Sequence, residues 1–268
     1  MRAARVLSVG AVVVVVAVGI FAWRLHDRGP SRPSVGAAID RFHTSTTMTG
    51  EAGALQPSAG VYVYSGTGSE SLSFMATKQP QGPTEPGTVT LEADGCWTFR
   101  MDFNSFHHQT WRRCARGTTL LETGGSADQK FDFVAFEQSE HSTVTCDPPI
   151  TLFDAAASPG TTWPVRCTGH SETTGTDVVQ TGTTTFVGRE TMKIENEQVE
   201  AVHVRQDLVL SADQRGKVRI EMWFATSDAL PLRETHDLRV VSPAPAPLDE
   251  VTYREVGGWT LTSRRPST

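Results

Sequence analysis

The chain has 268 residues, a formal net charge of −6 and a mean hydropathy of −0.26, a length that holds one large domain or two small ones. The charge is uneven: Arg2, Arg5, Arg24 and Arg28 against Asp27 make the first 28 residues +3, which leaves −9 for the remainder. A domain with that balance repels phosphate backbones and anionic head groups, because both kinds of binding need a basic footprint; nucleic acid is thereby excluded as a partner.

Residues 6–23 carry no charge, and 18 positions at 1.5 Å each reach about 27 Å, enough to cross a hydrocarbon core. The expectation is one transmembrane signal anchor at 6–23 behind a cytoplasmic tail at 1–5. The competing reading is a cleaved signal peptide, which needs a shorter apolar run and a small-x-small cleavage site; Phe21, Ala22, Trp23, Arg24 and Leu25 form a poor one. No Cys follows the run, which rules out lipoprotein processing. Arginines flank the segment on both sides, so the positive-inside rule is nearly balanced and orientation has to come from elsewhere.

Residues 24–59 read as stalk and linker: polar, proline-bearing at the start, with the spacing of a short amphipathic helix at 35–43, then a run of Thr, Ser, Gly and Pro without apolar period. From residue 60 to 268 the signals are those of strands, short β-branched and aromatic runs broken by Gly, Pro, Asp and Ser. Residues 61–64 predict a strand, 65–68 a turn, 72–75 a second strand and 79–87 a proline-rich loop. Residues 88–91 and 96–103 predict a hairpin turned at Ala93, Asp94 and Gly95, since Asp-Gly supplies the positive φ of a tight turn.

Cys96, Cys114, Cys146 and Cys167 all lie in this region, with no C-x-x-C pair. Separations of 18 and 21 residues without Cys-His doublets suit zinc poorly, whereas an even count behind an export signal suggests two disulfides. Of the three connectivities, Cys96 with Cys114 and Cys146 with Cys167 fits a strand, a turn and a returning strand. Such bridges persist only in an oxidising compartment. The β domain is therefore expected outside the cytoplasm and the N-terminus inside.

The last third predicts strands at 183–187, 199–210, 216–225, 231–241 and 251–263. Val202, Val204, Leu208 and Leu210 alternate with His203, Arg205 and Asp207; Val218, Ile220, Met222 and Phe224 alternate with Arg219, Glu221 and Trp223. Period two means that one sheet face packs on a core while the other meets water or a polar cavity. Strands this long curl when twisted. The expected fold is all-β and mainly antiparallel, a long-stranded curled sheet forming a half-barrel or clamshell, with a helix covering its concave side.

Sequence signatures of catalysis are absent. Residues 169–173 approach the G-x-S-x-G elbow but lack its second glycine and its strand-to-helix setting, so a polar turn is expected. His107 and His108, adjacent on a strand, point to opposite faces and cannot share an ion. Asp147 before two prolines reads as a strand end. His203, Arg205, Asp207, Arg219, Glu221, Arg233, Asp237 and Arg239 would stand side by side on a meander, as a solvated ion-paired face or, alternatively, as a polar lining with Trp223 as an aromatic platform. No metal site, cofactor motif or catalytic residue is predicted.

The runs 60–64, 95–97, 145–148, 160–163, 167–169, 187–190, 202–205 and 230–234 together resemble an uncharacterised group of actinobacterial membrane-anchored extracytoplasmic proteins. The second half, through Glu221 to Phe224 and Leu230 to Arg233, is similar to envelope proteins of the lipoprotein-carrier type. The first likeness brings no reaction or site residue; the second implies a curved antiparallel sheet. The expected role is a non-enzymatic envelope module whose concave face, lined by Val202, Val204, Val218, Ile220, Met222 and Phe224 with Trp223, takes a lipid-like ligand or docks an envelope protein. A purely structural domain is the alternative, and an extracytoplasmic hydrolase a third.

Overall fold

The computed structural model describes residues 30–45, 55–74, 78–132, 137–244 and 249–268. The segment 6–23 lies outside them, and no helix among the described residues is long and apolar enough to cross a membrane.

One helix, α1 (Val35–Ser45), precedes thirteen strands: β1 (Gly60–Leu72), β2 (Gln79–Gln81), β3 (Thr84–Leu91), β4 (Cys96–Asn104), β5 (His107–Arg116), β6 (Thr119–Asp132), β7 (Glu137–Asp154), β8 (Thr162–Ser171), β9 (Asp177–Ile194), β10 (Glu197–Ala212), β11 (Arg215–Ala225), β12 (Pro231–Pro243) and β13 (Glu250–Leu261). From β3 onward each strand pairs antiparallel with the next, and the meander closes where Tyr64–Leu72 of β1 meets Leu261–Tyr253 of β13. Strands β3 and β2 lie one after the other along the opposite edge of β1. The result is a closed antiparallel ring of twelve strands, with β2 prolonging the course of β3.

Closure replaces the half-barrel expected from strand length. It depends on β1 being one strand of 13 residues and not two short strands about a turn. Gly66 and Gly68 punctuate the sequence like a turn, but they stand on the inner face of the barrel. A Cβ on Gly66 would lie 2.2 Å from the Glu85 carboxyl, and one on Gly68 would lie 2.4 Å from Oε1 of Gln81. These glycines make room for side chains that lie flat against the wall. Residues 79–87, expected as a loop, supply β2 and the start of β3 in the same way. The hairpin at 93–95 forms as expected, with Gly95 at φ 79°.

The barrel has two unlike ends. At the far end, Leu55, Ala229 and Leu230 are buried over Phe153 and Tyr62 and seal the interior. The near end, or mouth, is where β1, β4, β6, β10 and β12 terminate and β5, β7, β9, β11 and β13 begin. Helix α1, started by the Ser34 hydroxyl that accepts from the Ala37 amide, packs Ala38 and Phe42 on Val61. Val61 is on the outer face of β1, and Arg41 of the helix pairs with Asp102 on the outside of β4. The helix therefore braces the outer wall and does not cover a concave face.

Both expected disulfides are present. Cys96–Cys114 links β4 to β5 and Cys146–Cys167 links β7 to β8. Each ties a strand to the one that returns beside it, and in the chain-entropy view a loop of about 20 residues contributes on the order of 3 kcal/mol.

Candidate functional site

The outer wall is charged and ion-paired. Asp207 binds Arg205 at 2.9 Å and Arg219 at 2.7 Å, and His203 lies between Glu190 at 3.1 Å and Glu221 at 3.2 Å. Trp223 belongs to this outer face, not to the lining in which the sequence placed it. Its ring stacks on His203 at 4.1 Å, its indole N–H donates to Glu190 at 2.7 Å, and Arg233 sits over it. The reason is strict alternation: Met222 and Phe224 point inward, so the residue between them points out.

The interior is the candidate site, and it has three parts. Its floor, towards the sealed end, is aromatic. Tyr64, Phe99 and Trp259 meet edge-on or tilted at 4.9 to 5.8 Å, and Phe99 stacks on Trp111 at 5.9 Å. Within this floor the Arg113 guanidinium is surrounded by Trp97, Phe99, Trp111 and Phe224 at 5.0 to 5.9 Å and pairs with Glu122 at 3.1 Å. Nη1 of Arg113 and the indole N–H groups of Trp97 and Trp259 are buried without a protein acceptor. Native interiors leave few such donors unpaired.

One side of the interior above the floor is apolar. Val144, Val178, Ile220, Leu238 and Val240 turn inward towards the core, yet each is only partly buried. Solvent therefore reaches into the barrel from the mouth along β7, β9, β11 and β12. Of the residues predicted to line a cavity, Ile220 stands on this reached wall. Val218 borders it, whereas Val202, Val204, Met222 and Phe224 are packed into the core below.

The facing side, built by β1 to β6, β12 and β13, is a buried polar network. Glu70 and Glu255 are cross-strand neighbours on β1 and β13, each 1% exposed. Nδ1 of His107 lies 3.1 Å from Glu70 and 3.8 Å from Glu255, near enough for an ion pair but too oblique to Glu70 for a good hydrogen bond. The Tyr253 hydroxyl stands 2.7 Å from Glu255 and 3.1 Å from Glu70. Gln81 donates to Glu255 at 2.6 Å, Asn104 to Glu70 at 3.2 Å, and Gln129 to Tyr253 at 2.6 Å. His236 lies 3.2 Å from Glu234 and 3.4 Å from Glu255. Oε2 of Glu85, against Gly66, has no partner.

Each perturbed proton affinity follows from this enclosure. Burial lowers the affinity of His236 for its proton, but the hydrogen bond to Glu234 and the charges of Glu255, Glu234 and Glu85 outweigh it and hold the imidazole at about 9. His107 is raised likewise: burial opposes, and Glu70 and Glu255 prevail. Glu255 is burdened by burial, yet His107 and His236 bring its carboxyl below the ordinary value. Glu85 is pushed up to about 8, first by burial and then by Glu234 and Glu255, with His236 opposing. Burial raises Glu122 despite Arg113. Buried ionic groups of this density are weak evidence for stability, and clustered perturbed groups inside the barrel make this the candidate site.

The two adjacent histidines divide as expected, His107 inward and His108 outward at 2.8 Å from Asp128. Ser171 is buried as the last residue of β8, and its hydroxyl accepts from Thr174; of the residues expected as a polar turn, 169–171 belong to the strand and the turn begins at 172. Among the described residues no group of three or more His, Cys, Asp or Glu side chains is arranged to hold a metal ion. Glu70, Gln81, Glu85, His107, Gln129, Glu234, His236, Tyr253 and Glu255 were not foreseen as a site. The available signal was the pair of inward-facing charges Glu234 and His236, which share a face with Leu232 and Leu238 on β12. No protein-family model, no curated protein and no solved structure matches the chain, so the reading of the site rests on its own geometry.

Proposed function

We propose that this chain is a membrane-anchored extracytoplasmic binding module, not an enzyme, and that its barrel lumen holds a small amphiphile such as a lipid-like molecule. The carrying observation is the lumen itself: an apolar wall that solvent reaches faces a buried polar network, over an aromatic floor with unpaired N–H donors. An amphiphile satisfies all three, its chain against Ile220, Leu238 and Val240 and its polar atoms towards the network and the floor. The segment 6–23 serves as the anchor, and the two disulfides support an oxidising compartment on the domain's side of the membrane. The likeness to membrane-anchored actinobacterial proteins belongs to the same proposal.

The test is titration of the segment 31–268 with the neutral apolar fluorophore N-phenyl-1-naphthylamine. Saturable enhancement, with energy transfer from the lumen tryptophans, is expected in the wild type. Leu238→Arg, which puts a charge on the apolar wall, should weaken it by at least about tenfold, since an unpaired charge in such a setting costs more than the 1.4 kcal/mol that a decade requires. No enhancement in the wild type, or equal enhancement in the variant, would contradict the proposal.

A further inference from the structure

The mouth has a side, and the chain identifies what that side meets. Ser31, the second described residue, is fixed at the mouth: its amide donates to the Ser105 hydroxyl at 2.9 Å, and the Ser105 amide donates to its carbonyl at 3.0 Å. Ser105 and Phe106 form the turn between β4 and β5. On the same sector of the rim, β1 runs out to Phe74, which is 40% exposed, and Lys130 extends its ammonium over the Phe106 ring at 5.0 Å. An exposed apolar ring beside a lysine is the combination with which interfacial segments rest on a bilayer, the ring among the acyl chains and the ammonium among the head groups.

Length favours one orientation. Residues 24–30 separate the apolar segment from Ser31, and seven residues span at most about 25 Å when fully extended. Ser105, on which Ser31 is fixed, follows β4, whose 9 residues cover about 30 Å along the strand, or about 23 Å along the axis at the usual barrel tilt of about 40°. With the sealed end on the membrane, the tether would have to run fully stretched up the wall to Ser31. With the mouth on the membrane, it reaches Ser31 without stretching.

We propose that the rim sector carrying Ser31, Phe74 and Phe106 rests on the extracytoplasmic leaflet, so that the lumen opens onto the lipid surface and exchanges its ligand with it. This rests on the reading of 6–23 as the anchor. The sealed end, with its turn at Asn196 between β9 and β10, faces away from the bilayer. A ligand drawn from the leaflet then enters along Val240, Leu238 and Ile220 without crossing bulk water.

The experiment uses the full-length chain in nanodiscs of phosphatidylcholine. A benzoylphenylalanine photo-crosslinker replaces Phe74 in one variant and Asn196 in another, both exposed positions whose replacement leaves the core intact. After illumination, mass spectrometry should find a lipid adduct on the peptide containing position 74 and none on the peptide containing 196. Adducts at 196 alone, at both positions equally, or at neither would overturn the orientation while the anchor reading stands. Failure of the full-length chain to enter nanodiscs at all would overturn the anchor reading and this inference with it.

Discussion

Raising the pH from 6.5 to 9 should destabilise this barrel, and the amount follows from two groups on the buried polar side of its interior. His236 keeps its proton up to about 9 in the folded chain, against 6.5 when free, and Glu85 keeps its own up to about 8, against 4.5. In both cases the folded state holds a proton that the unfolded chain releases earlier, so stability falls as pH rises through the interval. At about 1.4 kcal/mol per pH unit the His236 interval corresponds to about 3 kcal/mol, and the part of the Glu85 interval above pH 6.5 to about 2 kcal/mol. Because ionised Glu85 would strengthen the hold of His236 on its proton, the two titrate together, and a combined loss of about 3 to 5 kcal/mol is expected. The lowered Glu255 acts with the opposite sign, contributing stability that is lost on acidification below its ordinary value of 4.5, outside this window. Urea unfolding with the disulfides intact, followed by tryptophan fluorescence at several pH values, reads the effect. Glu85→Gln, which cannot ionise, should remove about 2 kcal/mol of the loss. Stability that is level or rising between pH 6.5 and 9, or a variant with the slope of the wild type, would refute the assignment of these groups.

Two further outcomes follow from the packing. Alkylation of denatured but unreduced protein should label no cysteine, and Cys114→Ala should cost about 2 to 5 kcal/mol; full labelling or an unchanged midpoint would remove the bridges from the account. Phe224→Ala, which opens a void beneath Arg113 and beside Phe153, should cost about 3 to 5 kcal/mol, whereas Arg219→Ala on the solvated outer wall should leave the unfolding midpoint where it is. Equal effects would mean that the inner and outer faces have been confused.

The sequence was legible where one face of a strand is apolar throughout. Strands β10, β11 and β12 bury Val202, Val204, Val218, Met222 and Leu232, and their alternation declares both strand type and core face. It was not legible for β5 and β6, because there the inward face carries His107, Gln109, Arg113, Glu122 and Gln129, and polar residues on both faces erase the hydrophobic period on which strand reading depends. Register shifts between Arg112 and Arg113, and between Glu122 and Gly124, interrupt what remains. The glycines misled for a related reason. Gly66 and Gly68 carry a turn signal in sequence, but in the barrel they admit Glu85 and Gln81 against the wall, as Gly257 admits His236 within the strand that was expected there. Closure itself depends on β1 and β13, which are 181 residues apart at the pair Leu72 and Tyr253 that bounds their seam, and no local pattern encodes a contact of that range. The outer ion pairs, by contrast, are where an alternating charged face would put them.

The most direct test of the central claim is native mass spectrometry of the segment 31–268, secreted and purified without detergent. A bound mass that persists in the native spectrum and is lost on denaturation is the predicted result, and Leu238→Arg should abolish it. A bare polypeptide four hydrogens lighter than its sequence mass, as two disulfides require, and still bare after incubation with lipid, would contradict the claim and leave the barrel a structural or docking domain.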